Sequence, residues 1–450
     1  MLILSDQTGK LSIRDGSRPC LDVLPHSLWT RRRCDRPSVR LNGHSLLLLL
    51  QKVMGSAKIR LMRIYFDYNA TTPVAPLVAE AMVRALREDF GNPSSVHAFG
   101  QRAKTWLDEA RSAVGALIGS EPLELVFTAG GTESDNLAVR GAAEAQESTG
   151  RRHLVASAIE HEAVLNTLKA LARRGWKTTL VPVGPSGILS PDRLAEVVGD
   201  DTVLVSVMHA NNEIGTIQPV AELAEVAHRH GALFHTDAVQ SAAKIAIDVR
   251  SLGVDLLSIS AHKFNGPKGV GALWVRRGTR LTALLTGGRQ ERNRRAGTEN
   301  LPGIIGLGVA ATLARQKLDA AASAVRRLRD RLETGVLDRI SGTDVNGDRE
   351  HRVPNTTNIS FEGVEAESLL IALDLDGVAV STGSACSSGT LEPSHVLKAM
   401  GLPTHRAQNS IRFSLGAGNT EAEVDRVVAL LPRVVEKLRG LTWAKAPVGV

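Results

Sequence analysis

Cysteine is scarce: Cys20, Cys34 and Cys386 are the only three in 450 residues. An odd count, with none of the close paired spacings of metal sites, argues against a disulfide framework and against a zinc centre, and it fits a reducing compartment. Long hydrophobic runs are missing too. The only apolar run of the N-terminal segment, residues 46–50, meets Gln51 and Lys52 at once. That is too short for a membrane span and weak as a signal-peptide core. A charge bias is missing from most of the chain. Residues 1–63 carry 12 Lys and Arg against four acids, and the remainder carries 42 against 43. The net charge of +7 therefore belongs to the N-terminal segment, and the body shows no global attraction to nucleic acid. Repeats and low-complexity tracts are also absent from the body.

What is present is a chain of 43% hydrophobic and 22% charged residues, typical of a globular protein and long enough for two or three domains. Residues 1–63 stand apart. Their Arg-rich, acid-poor make-up allows an organellar transit peptide, or a coding start at Met54 or Met62, since ordered patterning begins only at "RIYFDYNATTP". They are set aside from fold reasoning, and the body is expected in the cytoplasm.

From residue 123 onward, short apolar runs alternate with helical patterns. The runs are "ELVFT" (124–128), "HLVAS" (153–157), "TVLVSVM" (202–208), "ALFHT" (232–236), "LLSIS" (256–260) and "GALWV" (271–275). Stretches such as "VAELAEVAHRHG" (220–231) lie between them, with apolar residues at helical spacing and a closing Gly. Strands alternating with helices predict an α/β domain with a largely parallel sheet. After residue 310 a long helical stretch, about 311–336, leads to "NTTNISF" (355–361), "GVAVST" (377–382) and "NSIRFSLG" (409–416), which predicts a smaller α+β domain.

Ligands in such sheets sit at the carboxyl ends of strands, so the residues after each run matter most. "AGGTESDN" (129–136) follows the first and opens a helical pattern. Glycines permit a tight turn, and free N–H groups at a helix start attract an anion such as phosphate. Asp237 follows "ALFHT", and Ala261, His262 and Lys263 follow "LLSIS". A Lys to carry an aldehyde and an Asp to keep a pyridine nitrogen protonated suit pyridoxal phosphate. Taken singly, each also suits a solvated charge at a strand end. His161 could stack on a ring, move a proton or be structural. Asn211 or Asn212 of "HANNEIG" could donate to a ring oxygen or carboxylate, or make an Asx-turn. Cys386 lies in "STGSACSSGT" (381–390), where small, flexible neighbours suit either a thiol that must be reached or an ordinary turn.

The sequence resembles cysteine desulfurases of the NifS/IscS type, which are class V, fold-type I pyridoxal-phosphate enzymes. The motifs "FDYNATTPV", "FTAGGTESDNLA", "EHEAVL", "MHANNEIGTIQP", "HTDAVQS", "SAHKFNGPKGVGAL", "RAGTEN", "SACSSGTLEPSHVLKAMG" and "SIRFSLG" occur in the family's order from Ile64 onward. The resemblance implies a large domain with a mostly parallel seven-stranded sheet over 81–317. It implies a smaller α+β domain, 64–80 with 318–450, bearing a mobile cysteine loop, and leaves 1–63 as an extension that is disordered or not native. It implies that Lys263 carries the cofactor, that Asp237 pairs with the pyridine nitrogen and that His161 stacks on the ring and assists proton transfer. Asn212 and Gln240 match contacts to ring substituents and substrate. Gly131, Thr132, Ser260 and His262 match the phosphate cradle, with Thr298 reaching in from the other subunit of a homodimer. Arg412 matches the clamp on the substrate carboxylate, a task for which bidentate guanidinium geometry is suited.

Cys386 matches the thiol that takes sulfur from L-cysteine as a persulfide, leaves alanine, and delivers the sulfur to an acceptor protein, an iron–sulfur scaffold or a tRNA thiolation enzyme. No metal, membrane or direct nucleic-acid partner is implied. One departure is visible: the family often has three glycines before Gln-Glu, and this chain has Gly287, Gly288 and Arg289. Selenocysteine lyase or transaminase activity on the same scaffold is the alternative. A transaminase needs no thiol, so the sole cysteine of the body favours the desulfurase.

Overall fold

The computed structural model describes residues 2–5, 11–14, 63–383 and 393–443. The chain divides at Leu61/Met62. In the first unit, β1 (Leu2–Ser5) and β2 (Leu11–Arg14) pair as an antiparallel ribbon.

In the second unit a short β3 (Ile64–Tyr65) precedes helices α1 (Pro76–Arg87) and α2 (Ala98–Ile118). The central sheet then forms from β4 (Leu125–Thr128), β5 (His153–Ser157), β6 (Lys177–Val181), β7 (Thr202–Ser206), β8 (Leu233–Asp237), β9 (Leu256–Ser260) and β10 (Gly271–Val275). Its order is β4-β10-β9-β8-β7-β5-β6, and only β10 runs against its neighbours. The expected mostly parallel seven-stranded sheet is thus present. Every residue of β5, β7, β9 and β10 is buried, which is why these strands read as continuous apolar runs rather than as an alternation. Helices α3 (Gly131–Ala145), α4 (Glu162–Ala172), α5 (Pro191–Ala195) and α6 (Val220–Arg229) connect the parallel strands. In α6 the apolar face of Val220, Leu223, Ala224, Val226 and Ala227 is buried, as its spacing predicts.

Helix α7 (Leu301–Arg339) begins ten residues before the expected start. Its first turns, "LPGIIGLGVA", hold three glycines that weaken the helical pattern. They are there for packing: a Cβ on Gly308 would stand 2.6 Å from Ala110 Cα of α2. The start is set by Asn300, whose side chain accepts the Gly303 N–H, and by a proline in the first turn. Leu301 to Ala311 of α7 pack into the core beside the sheet, whereas Val325, Leu332 and Val336 enter a second core. That core contains Ile64, Phe66, Ile411 and Phe413.

It is built on an antiparallel sheet of β11 (Thr343–Asn346), β12 (Thr356–Phe361) and β14 (Ser410–Ser414), in the order given. Helix α8 (Ala366–Leu375) leads to β13 (Val378–Ala379), which pairs in parallel with β3 and is shorter than the six-residue run expected there. Helices α9 (His395–Ala399), α10 (Thr404–Gln408) and α11 (Glu421–Trp443) complete the unit. A buried ion pair, Arg352 to Glu333 at 2.6 and 2.9 Å, ties α7 to the segment before β12, and Thr357 Oγ1 donates to the same carboxylate at 2.6 Å. Removing one partner of such a pair costs about 3–5 kcal/mol.

Candidate functional site

The parallel strands bring their carboxyl ends to one edge, and the chemistry-bearing residues follow them there. Gly130 lies between β4 and α3, and Gly131 is the first residue of α3. Gly130 has φ +150, open only to glycine, and no side chain caps α3. A Cβ on Gly131 would come 2.9 Å from Val239 Cγ2, and one on Gly130 would lie 3.8 Å from Ser260 Oγ. The uncapped helix start, its two glycines and the Ser260 hydroxyl therefore share one place, with Thr132 as the second residue of α3. This is the arrangement an anion needs.

Asp237 ends β8 and is 5% exposed. Its Oδ1 accepts the Val239 N–H at 2.8 Å. Burial pushes its carboxyl above the usual carboxylate range, while His161, the Val239 N–H and Lys263 pull it down. His161 caps α4, with Nδ1 accepting the Ala163 N–H at 3.1 Å, and it lines a cavity of about 570 Å³ together with Thr132. Lys263 follows β9, and its Nζ donates to the carbonyls of Asn69 (2.6 Å) and Ala70 (2.9 Å). His262 Nδ1 pairs with Thr71 Oγ1 at 3.1 Å. Burial, with the nearby charges of Lys263 and Lys268, lowers its pKa to about 4, so it works as a neutral imidazole.

The two asparagines of "HANNEIG" divide their duties. Asn211 Oδ1 accepts the N–H groups of Glu213 and Ile214 at 2.8 and 3.1 Å, which is an Asx-turn. Asn212 stands at the clamp: its carbonyl accepts Arg412 Nη1 at 2.9 Å. Arg412, only 3% exposed, sits in β14, and its Nη2 donates to Asp67 Oδ1 at 2.7 Å. Gln240 directs its amide to Asn69 and Lys244.

Thr298 is exposed at the end of a loop that other residues hold in place. Glu291, Arg292 and Asn293 have φ of 45, 57 and 64°, a strained run for residues other than glycine. It is anchored by Glu291, which is buried and accepts Arg111 at 2.6 and 3.0 Å and the Phe127 N–H at 2.9 Å. Arg289 itself has φ −88 and ψ 20, so an ordinary side chain stands without strain where the family often has glycine. Cys386 lies outside the described residues.

Beneath Asp237 lies a buried polar layer that the sequence did not reveal as part of the site. His235, two residues back on the same face of β8, bonds Ser206 Oγ (2.9 Å) and Ser258 Oγ (3.0 Å). Burial lowers its pKa to about 3. Asp135 of α3 approaches His235 Nε2 at 3.6 Å, and burial beside Asp237 pushes its carboxyl well up. Glu160 accepts Ser157 Oγ (2.5 Å) and the Met208 N–H (2.8 Å), and burial raises it to about 8. Three buried carboxyls cannot all ionise together. Asp237 is the one that His161 and Lys263 pull down, so the negative charge settles there. The two-residue period of a strand was the available signal for His235; nothing in the helical setting of Asp135 distinguished it.

These residues fit pyridoxal 5′-phosphate on observations of this structure: a glycine cradle in which a Cβ on Gly131 would strike Val239, a helix start without a side-chain cap, and a buried carboxyl suited to a cationic ring nitrogen. Among the described residues no cluster of His, Cys, Asp and Glu could hold a metal ion. No described helix is long and apolar enough to cross a membrane.

Comparison with known proteins gives the family. The pattern of the family "Aminotransferase class-V" matches residues 64–427. "Cysteine desulfurase IscS" of Dictyoglomus turgidum is 50% identical over 379 residues, 84% of this chain and 96% of that protein. The protein of the same name from Methanosarcina thermophila is 48% identical over 84% of this chain and 93% of its own. Among solved structures, a "NIFS-LIKE PROTEIN" superposes with a TM-score of 0.79 at 40% identity, over 84% of this chain and all of that one. "SspA in complex with cysteine" does so with a TM-score of 0.71 at 36% identity, over 80% of this chain and all of that one.

Proposed function

The chain belongs to the class-V aminotransferases and, within them, to the pyridoxal-phosphate-dependent cysteine desulfurases, and we propose that it moves the sulfur of L-cysteine onto Cys386 as a persulfide. The observation that carries the reading is the convergence of Lys263, Asp237 and the glycine cradle with the Arg412–Asn212 clamp. Lys263 would hold the cofactor's aldehyde carbon, Asp237 its ring nitrogen, and Gly131, Thr132 and Ser260 its phosphate. His161 would face the ring and assist proton transfer. When bound, the cofactor supplies an electron sink that weakens the bonds around the amino acid's α-carbon.

The residues do the rest. Arg412 takes the substrate carboxylate, exchanging its bond to Asp67, and the buried setting strengthens that charge pair. The Cys386 thiolate attacks the substrate sulfur: an S–S bond forms, the C–S bond breaks with its electron pair left on carbon, and a proton completes alanine. Thiol plus cysteine thus yields persulfide plus alanine, with no external oxidant. The sulfur then passes to an acceptor protein serving iron–sulfur assembly or tRNA thiolation. A relative's structure titled as a complex with cysteine supports the substrate.

A homodimer is supported by two features. Thr298 is exposed on a braced loop instead of reaching the site of its own chain. The stacked pair Phe90 and Phe99, with ring centroids 5.5 Å apart, forms an exposed apolar patch. A second copy of the chain would cover that patch and receive the loop.

The test is one equivalent of cysteine without reductant. Alanine should form in equal amount, and a single extra sulfur should appear on the peptide holding Cys386. Alanine without that sulfur, or 3-mercaptopyruvate with transfer of the amino group, would favour a selenocysteine-lyase-like or transaminase reading. Replacing Asp237 by Asn should keep the cofactor bound yet lower turnover about a hundredfold, since a charge-assisted bond of about 3 kcal/mol is lost from the ring nitrogen. Steady-state alanine release measures this, and unchanged turnover would remove Asp237 from its role.

A further inference from the structure

Two ammonium groups meet on one residue. Asn69, 1% exposed, lies in the turn between β3 and α1. Its backbone carbonyl accepts Lys263 Nζ at 2.6 Å and Gln240 Nε2 at 3.0 Å. Its side-chain oxygen accepts Lys244 Nζ at 2.8 Å and Asn355 Nδ2 at 2.9 Å. Its Nδ2 donates to the Asn212 carbonyl at 3.1 Å and to Thr356 Oγ1 at 2.8 Å. These two acceptors fix which way the amide points, so the oxygen faces Lys244. The Asn212 carbonyl is also the acceptor of Arg412. Gln240 closes the ring, with its Oε1 accepting Lys244 at 2.7 Å. One amide therefore joins the cofactor lysine, the carboxylate clamp and a second lysine that neither motif nor strand end had marked.

The chain bears a cost to bring Lys244 there. Ala243, just before it, has φ +63, a left-handed conformation that costs a residue with a side chain about 1–2 kcal/mol. Among the described residues, no carboxylate pairs with Lys244 within ion-pair distance. Its neighbours are two amide oxygens, which only accept, and the wall of a cavity of about 380 Å³ that Lys263 also lines. A cation placed in such a setting without a counter-charge is unfavourable unless its charge is used. Burial and the charges of Lys263 and Arg412 lower its pKa from the usual lysine range, while the two amide oxygens that accept from Nζ favour its charged form.

We propose that Lys244 is a positioning residue for the reaction: its ammonium pins the Asn69 amide, Asn69 sets the place of Lys263 and of the Asn212–Arg412 clamp, and the second positive charge disfavours protonation at Lys263. The proposal rests on the reading of Lys263 as cofactor carrier and Arg412 as clamp. The titratable and charged groups facing this cluster are Asp237 from β8, His262 beside Lys263, His161 from the start of α4, Arg412 from β14 with Asp67 just after β3, and, across the shared cavity, Lys317 of α7 and Tyr68. Asp237 favours a proton on Lys263, and Lys244 opposes it. Loss of Lys244 must therefore raise the pH at which the Lys263-linked nitrogen gives up its proton.

The experiment uses the holoenzyme as wild type, Lys244→Met, Lys244→Gln and Lys244→Arg. Two quantities are read: the pH midpoint of the visible cofactor absorption, and KM for cysteine against kcat. In Lys244→Met the midpoint should rise by about one unit, and KM should rise about tenfold with a smaller change in kcat. Lys244→Arg should return the midpoint to its wild-type value. Lys244→Gln keeps a donor but no charge; it should show the same rise in midpoint, and it decides the matter if the Met variant does not fold. The proposal needs both shifts. If either the midpoint or KM stays at its wild-type value in the neutral variants, it is overturned, even where thermal stability falls. A wild-type enzyme without a visible band that borohydride bleaches would instead sink the assignment of Lys263.

Discussion

Replacing Cys386 by Ser should lower alanine release by about a thousandfold or more while leaving the cofactor's colour and the binding of cysteine intact. The thiolate, not the thiol, is the nucleophile toward sulfur, and a serine hydroxyl is neither ionised near neutral pH nor soft enough to replace it. A loss of about 4 kcal/mol in transition-state stabilisation corresponds to that factor. Lys263 just after β9, Asp237 at the end of β8 and Arg412 in β14 are all unchanged by the substitution. Added cysteine should therefore still perturb the visible band, and the perturbed spectrum should persist because sulfur cannot leave. In the native enzyme the same addition should be followed by recovery once a thiol strips the persulfide. Alanine release at the wild-type rate by the Ser variant, or sulfur found only on Cys20 or Cys34, would remove Cys386 from the mechanism. The transaminase-like reading would then lead.

The strands that reached the sequence analysis are those the sheet buries on both faces. β5, β7, β9 and β10 are apolar throughout because helices cover both sides of them. β6 did not register. It is the sheet edge, its sequence is "KTTLV", and all but Val181 is partly or fully exposed, so neither a run nor an alternation stands out. The site was legible to the same degree and for a related reason. Asp237, Ser260 and Lys263 stand at or just after the ends of clear strands, where the topology of a parallel sheet gathers them. Arg412 was visible through the family motif alone: by itself "SIRFS" reads as an alternating strand with Ser410, Arg412 and Ser414 facing water, yet Arg412 is buried against Asn212 and Asp67. Lys244 and Asn69 were not legible as partners. They are 175 positions apart, and they meet because a left-handed Ala243 turns the chain inward at a point no periodicity marks. Asp135 and Glu160 were hidden for another reason. Acidic residues near helix starts are common on surfaces; the packing of α3 on the sheet buries Asp135, and the contacts of Glu160 with Ser157 and Met208 bury Glu160.

Lys263→Ala is expected to have the largest effect of all. Turnover should fall by about 10⁴-fold or more, because covalent attachment of the cofactor and a positioned amine for proton transfer are lost together. The visible band should vanish, and borohydride should fix no label on the chain. The fold should survive, since the sheet and both cores are intact without this side chain. It should, however, be less stable by about 1–3 kcal/mol, because Lys263 Nζ is a donor to the carbonyls of Asn69 and Ala70 in the turn that joins the two cores. That second effect separates two ways in which the variant could fail. If Asn69 is held chiefly by Lys244, Gln240 and Asn355, the turn keeps its place, and added pyridoxal phosphate still binds through the α3 cradle and Asp237 without covalent attachment. If Lys263 itself holds the turn, both binding and thermal stability fall further, and Lys263→Arg, which keeps the donor, recovers stability without recovering activity. Calorimetric melting beside alanine release distinguishes the two. Alanine formed at the wild-type rate by Lys263→Ala would contradict the assignment of the cofactor site as a whole.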